Sequence, residues 1–300
     1  MTKSTGTRRE RDTMGVVEVP ESAYYGAQTA RAVENFPVGK KVMPSAFVHA
    51  LGMLKGAAAE ANLELGALDE RRARAVAQAA EEVAGGRFDD QFPISVFQTG
   101  SGTSSNMNAN EVIASRANEI LGGKRGTAGE VHPNDHVNKG QSSNDIIPTA
   151  IHLAAVIELQ GDLVPALEEL EKALRKKACE FWPVIKTGRT HLQDATPIRL
   201  GQEFMGYADQ VKLACERCRE EIPSLGQVAL GGTAVGTGIN CDPRFPGLVL
   251  GKIAKTTGLP VAETAHHFVA QSSVDAVVSA SGTLRMTAVA LIKIANDIRW

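Results

Sequence analysis

Long helical patterns constrain this chain more than any other feature. After Asp145 three of them follow one another: "IIPTAIHLAAVIELQGDLVPALEELEKALRKKACEF", a second from about Ile198 to Glu221, and a third from about Ser272 to Trp300. In the third, apolar or small residues recur at 274, 277, 278, 281, 284, 288, 291, 295 and 298, with Ile292 and Ile294 beside them. That stripe is too broad for a surface helix and predicts burial in a bundle. Pro148 is tolerable in the first turn of its helix. Pro165, deeper in the same pattern, predicts a kink.

The upstream part is also mostly helical. "SAFVHALGMLKGAAAEANLELG" carries apolar residues at helical spacing, and "DERRARAVAQAAEEVAGG" opens on acids and closes on Gly85 and Gly86. "NMNANEVIASRANEILGG" repeats the plan, opening at Asn106 and stopping at Gly122. The first forty-odd residues differ, since "MGVVEVP" and "YYGAQT" read as extended pieces, turns or a hairpin. The expected fold class is therefore mainly α. A mixed, mostly helical N-terminal domain over 1–142 should be followed by a long-helix bundle domain over 143–300. "KIANDIRW" stops in mid-helix with no cap or polar tail, so the sequence reads as part of a longer protein.

Composition excludes several classes of function. The formal net charge is -2, which gives no reason to expect nucleic acid as a partner. No basic run suggests a membrane surface, and no apolar stretch approaches the length of a bilayer span. "MTKSTGTRRERDTMG" lacks the apolar core of a secretory signal. Of the four cysteines, Cys215 and Cys218 have C-x-x-C spacing but sit in a helical pattern without a second ligand pair, which reads as packing. Reduced thiols and a cytoplasmic location follow as the expectation.

Three loops share one chemistry. "QTGSGTSSNMN" (98–108), "HPNDHVNKGQSSND" (132–145) and "KTGRTHLQDATP" (186–197) are rich in hydroxyls, amides and glycine, and each leads toward a helical pattern. Neutral donors beside unpaired backbone N–H groups make a receptor for a carboxylate or phosphate. Taken singly, Ser105, Ser143 and Asn144 read equally as ordinary helix caps. The repetition favours a small anionic ligand. "TGSGTSS" has Ser105 where a dinucleotide fingerprint needs its third glycine, and "ALGGTAVGTGIN" has Thr237 and Gly238 where a phosphate loop needs Lys-Ser/Thr. Both are read as turns, not nucleotide sites.

Among the seven histidines, His49 and His152 fall in helical stripes, and His266 and His267 precede a helix without metal-ligand spacing. His132 and His136 are separated by Pro133, which weakens a shared helix face and a metal reading. His191 stands among Thr190, Gln193 and Asp194, and an imidazole there suits proton transfer near neutrality. On spacing alone, a structural role and a proton-handling role are left balanced.

In their order along the chain, "RDTMGVVEVP", "YYGAQTARAVENFP", "TGSGTSSNMNANE", "VHPNDHVNKGQSSND", "GRTHLQDATP", "LGGTAVGTG" and "KIANDIRW" resemble the aspartase/fumarase superfamily, and in wording its class II fumarases. Fumarases carry histidine after GRT where aspartases carry glutamine, and this sequence has His191. The resemblance implies a homotetramer around a central helix bundle, each site built from three subunits, and fumarate/L-malate as the dicarboxylate substrate. It implies no cofactor and no metal. By position, Ser101, Gly102, Thr103, Ser142, Ser143, Asn144 and Thr190 would bind the dicarboxylate and His191 would exchange the proton. His132, Pro133, Asn134 and Asp135 match a second anion site of the family. The family's G-S-S-x-M-P-x-K-x-N-P loop, with its serine base, follows "KIANDIRW" and is not in these 300 residues, so inactivity of this stretch alone is expected. Two other readings are an aspartase-type ammonia lyase and a non-catalytic assembly fragment, since the superfamily includes lens crystallins.

Overall fold

The computed structural model describes residues 6–300. The first five residues of the segment judged not to be a secretory signal lie outside it. The fold is mainly α-helical, as expected. The chain forms two interleaved compact units: one runs to Ala154 and resumes over Gly226–Val274, and the other comprises Ala155–Leu225 and Asp275–Trp300. The sequence reading placed a single boundary at 142/143. It did not anticipate that 226–274 returns to the earlier unit.

The first unit opens with an antiparallel hairpin, β1 (Thr7–Asp12) and β2 (Gly15–Pro20), in the stretch read as extended. "YYGAQT" departs from that reading, because helix α1 (Ala27–Asn35) begins inside it. Its start is held by the buried carboxylate of Glu111, which accepts from the N–H groups of Gly26, Gln28 and Thr29 and from the Thr29 hydroxyl. A carboxylate at that end meets the unpaired N–H groups of the first turn. Burial raises the Glu111 carboxyl above its ordinary range, while these donors oppose the shift.

Helices α2 (Ser45–Glu64) and α3 (Glu70–Ala84) follow, the second capped by Asp69, whose side chain accepts from the Arg72 N–H. Leu51, Leu54 and Ala58 of α2 and Val76, Ala79 and Ala80 of α3 are fully buried, as helical spacing demands. Gly52 permits the close approach of the pair, since a Cβ there would lie 2.5 Å from the backbone nitrogen of Ala84. Helix α4 (Thr103–Ile120) begins three residues before the expected Asn106 and packs on α1 and α3. Helix α5 (Ser143–Glu158) follows, and in the returning segment α8 (Phe245–Thr257) packs on α2. Two short strands, β5 (Gln227–Val228) and β6 (Ala262–Glu263), pair in parallel.

After α5 a five-residue π-turn, Leu159–Leu163, precedes α6 (Val164–Glu180). The interruption falls immediately before Pro165, where the kink was expected. A proline cannot donate the N–H that would continue the helical ladder. Hairpin strands β3 (Ile185–Thr190) and β4 (Gln193–Arg199) lead into α7 (Leu200–Leu225), which packs on α6 and on α10 (Asp275–Arg299). A short helix, α9 (His267–Ser272), precedes α10. Cys215 and Cys218 are buried free thiols, consistent with packing.

Helix α10 is only partly covered by its own chain. Ala280, Thr283, Thr287 and Ile294 are buried, while Val278, Val289 and Ile292 are about 60% exposed, so burial of the whole stripe in a bundle would need a further chain. One correction concerns length and hydropathy. Ser143–Glu180 and Asp275–Arg299 both contain 18-residue windows of mean hydropathy 1.3 and 1.4, long and apolar enough to cross a bilayer by composition. These two helices overturn the expectation that no apolar stretch approaches the length of a bilayer span.

Candidate active site

The hydroxyl-rich loops 98–103 and 138–144 converge in the first unit. Gly102 precedes α4 with φ +69°, and a Cβ at this position would lie 2.8 Å from Cγ2 of Ile147 on α5. Glycine therefore serves twice here, by adopting a left-handed backbone and by letting the loop touch α5. On either side of it, the hydroxyls of Ser101 and Thr103 are 2.9 Å apart. The first turn of α4 brings Asn106 to α5, where its side-chain amide donates to Ser143 Oγ at 3.0 Å. Ser101, Gly102, Thr103 and Ser143 thus belong to two adjoining helix N-termini, the arrangement that suits a carboxylate.

Ser142 and Asn144 are fixed from the other side. Asp145, which is fully buried, accepts the Ser142 N–H at Oδ1 (2.9 Å) and the N–H groups of Gly231 and Thr233 at Oδ2 (3.2 and 3.0 Å). The Asn144 amide donates to the Ala234 carbonyl at 2.7 Å, which leaves it one further N–H and its oxygen. The glycine-rich stretch 229–238 is therefore a turn, as read, and it braces the serine loop.

Beneath these residues lies a group the motif reading missed. Lys55 is fully buried, and its Nζ donates to Asn138 Oδ1 and Gln141 Oε1, both at 2.8 Å. Burial pushes the Lys55 ammonium down to about 7, with the charge of Asp145 opposing that shift. Burial likewise raises the Asp145 carboxyl, against the N–H groups of Ser142, Thr233 and Gly231 and the charge of Lys55. A signal was present in "ALGMLKGAAAEAN", where Lys55 occupies an apolar position of the α2 stripe, one residue after Leu54 and four after Leu51.

Thr190 and His191 belong to the second unit, and there the structure departs from expectation. Their segment was read as a loop feeding a helix N-terminus. It is a β-hairpin, with Thr190 opposite Gln193 and a two-residue turn, His191–Leu192, between them. Both turn residues have positive φ, 51° and 60°, as this tight hairpin turn requires. Asn and Gly are the usual occupants, and a left-handed non-glycine residue costs roughly 1–2 kcal/mol. His191 is exposed at the tip, nine residues ahead of Leu200, where α7 starts. Lys186 anchors the hairpin base through Glu203, at 2.8 and 2.9 Å. A strained, exposed histidine on a rigid ribbon is a common feature of functional sites.

The residues of the second anion motif form a knot of their own. Asn134 and Asp135 lie in a π-turn, Pro133–Val137, that starts on the buried Pro133. His132 precedes the turn and accepts from the Asp135 N–H at 3.3 Å, and its own N–H donates to His136 Nδ1 at 2.7 Å. Burial lowers the His136 imidazole below its ordinary range, and the nearby charge of Arg72 adds to this. His132, Pro133 and Asn134 line a cavity of about 320 Å³ together with Arg9, Arg11 and Glu111.

Residues 15–300 match the family described as Lyase. The chain is 53% identical to the class II fumarate hydratase of Nitrosomonas europaea over 98% of its length, and 55% identical to class II fumarate hydratase 2 of Bradyrhizobium diazoefficiens over 99%. It spans 63% of the length of each of these relatives. The crystal structure of a class II fumarase from Schistosoma mansoni superimposes with a TM-score of 0.94 at 40% identity, covering 97% of this chain and 64% of that one. A fumarate lyase:delta crystallin from Brucella melitensis, bound to cobalt, does so at 0.93 and 44%, covering 98% and 64%. The converging serine and threonine loops, the histidine-tipped hairpin and the long helices are thus the parts of a known architecture, and the chain belongs to the lyase family of the aspartase/fumarase superfamily.

Proposed function

We propose that the whole protein is a fumarate hydratase that interconverts fumarate and L-malate. The observation that carries this reading is the meeting of two hydroxyl-bearing helix N-termini, at Ser101–Thr103 and Ser142–Asn144, in a chain whose GRT motif ends on His191. Removing the C3 proton of malate builds negative charge on the adjacent carboxylate. Donors held in place before reaction stabilise that charge better than water, which must reorient. Ser101, Thr103, Ser142, Ser143, Asn144 and Thr190 are the assigned donors, with Gly102 allowing close backbone approach. His191 is the assigned proton-exchanging group, acting where the hydroxyl departs as water. The relatives' names support the same substrate class.

His132, Pro133, Asn134 and Asp135 are assigned to a second anion site, the first three opening on the cavity that Arg9 and Arg11 line together with Glu10, Asp12 and Glu111. The exposed apolar face of α10 supports assembly, and a homotetramer of soluble, cytoplasmic subunits is part of the proposal. No cofactor is assigned.

Fumarate hydration should be assayed on these 300 residues and on a form extended to the length of the relatives. The extended form is expected to hydrate fumarate and to leave aspartate untouched, while the shorter chain is expected to show no turnover. Fumarate release from aspartate but not from malate would replace this reading with an aspartase-type lyase. Loss of activity on exhaustive EDTA treatment, restored by a divalent ion, would overturn the cofactor-free part.

A further inference from the structure

We infer that Lys55 is a positioning residue that orients the Ser143 hydroxyl through a relay of two amides, Asn138 and Asn106. The inference rests on the functional reading above, because it assigns a cause to the direction in which Ser143 donates. Lys55 is the starting point because its ammonium offers only hydrogens to the two oxygens it meets, Asn138 Oδ1 and Gln141 Oε1. A neutral amine would keep two hydrogens but gain a lone pair, so the charged form is the one that locks the relay.

Each amide is then locked from its other end. Gln141 Nε2 donates to the carbonyls of Val137 and Lys139, both at 3.1 Å. Asn138 Nδ2 donates to the Gln141 carbonyl at 3.3 Å. Neither amide can flip without placing an NH₂ against the Lys55 amine and an oxygen against a carbonyl. Asn138 Oδ1 must therefore remain an acceptor, and its second donor is Asn106 Nδ2 at 3.3 Å.

That fixes Asn106 in turn. It is almost fully buried, and the same NH₂ that faces Asn138 also faces Ser143 Oγ at 3.0 Å. Its own oxygen finds no hydrogen-bond partner, so the orientation is set by the relay and not by local demand for that oxygen. Ser143 Oγ thus accepts from inside. A hydroxyl has one hydrogen, and one that accepts from the protein side directs its hydrogen toward the space in front of α5, where the carboxylate is assigned. A side chain with hydrogens and lone pairs both available at position 55 would leave every amide of the relay free to reverse.

A double-mutant cycle on malate turnover in the extended form tests this coupling. Lys55→Met should raise KM by about tenfold or more while kcat changes much less, the pattern of losing a contact made equally in ground and transition states. In a Ser143→Ala background the same substitution should change KM by less than about twofold, because contacts in one network are not additive. Lys55→Met strands two buried oxygens and risks failing to fold. Asn106→Ala, which removes the donor to Ser143 and to Asn138 but leaves both Lys55 bonds in place, gives the same prediction and keeps the test open. Equal effects in both backgrounds, or an unchanged KM in a folded variant, would overturn the relay. A parent that hydrates no fumarate would instead overturn the functional reading on which the relay depends.

Discussion

Asp145→Asn is the most revealing single change in the first unit. The aspartate uses both oxygens, one for the Ser142 N–H and the other for the N–H groups of Gly231 and Thr233. Asparagine has one acceptor oxygen and one NH₂. In its better orientation it keeps the Gly231 and Thr233 bonds and turns the NH₂ toward the Ser142 N–H, leaving a half-buried donor unpaired. That costs about 1–3 kcal/mol, and weakening two charge-assisted bonds to neutral ones adds about 1 kcal/mol more. Removing the carboxylate also takes from Lys55 the charge that opposes its loss of a proton. The expected destabilisation is about 2–4 kcal/mol, read as a lower urea midpoint at unchanged slope. Amide hydrogen exchange should locate the loss at Ser142, Gly231 and Thr233. A midpoint within about 0.5 kcal/mol of the parent, the range of inert surface changes, would refute the claim that Asp145 holds the two loops together.

Further outcomes follow from other residues. His191→Asn in the extended form should lower kcat by roughly two to four orders of magnitude, with a melting temperature close to the parent's because His191 is exposed, and near-normal turnover would end its assignment. Lys55 releases its proton at about 7 in the folded chain against 10.5 ordinarily, so between those values the unfolded chain holds the extra proton. Its contribution to stability therefore grows as pH rises through that window, by up to about 1.4 kcal/mol per pH unit, and urea midpoints at two pH values should show this slope in the parent and not in Lys55→Met. The exposed α10 residues should make the chain sediment as an associated species, and aspartates at Val278, Val289 and Ile292 should shift it to smaller ones; a monodisperse parent monomer would count against an assembly face.

Much of the helical fold was legible because its signals are local. Asp69, Gly85 and the spacing of Leu51, Leu54 and Ala58 are set by neighbours within a turn or two, and α2 and α3 appear where those residues place them. The hairpin at His191 was not legible. Its turn carries His–Leu where Asn–Gly would announce it, so the usual signal is missing. The serine loops were recognisable from composition, yet their bracing was not. Lys55, Asn106 and Asp145 reach partners 32 to 88 residues away along the chain, and no local pattern encodes such partners. The α10 stripe was legible as an apolar face, but not which chain covers it, because periodicity reports that a face needs cover and not what supplies it.

The bonds from Asn144 and Asp145 to Ala234, Gly231 and Thr233 also set a schedule for synthesis. They join residues 86 to 90 apart, with the whole of Ala155–Leu225 made in between. While the ribosome is still adding that insert, the carboxylate of Asp145 has only the Ser142 N–H from the chain itself, and water stands in for the other two donors. Closing a loop of this size is slow relative to forming the helices on either side, since contacts distant in sequence must be found after local ones. The nascent chain therefore carries a half-capped acidic group at the head of α5 until about residue 240 has emerged. A mutation that delays the return of 226–274 would lengthen the time during which the serine loop 138–144 stands unassembled, with its apolar supports open to aggregation.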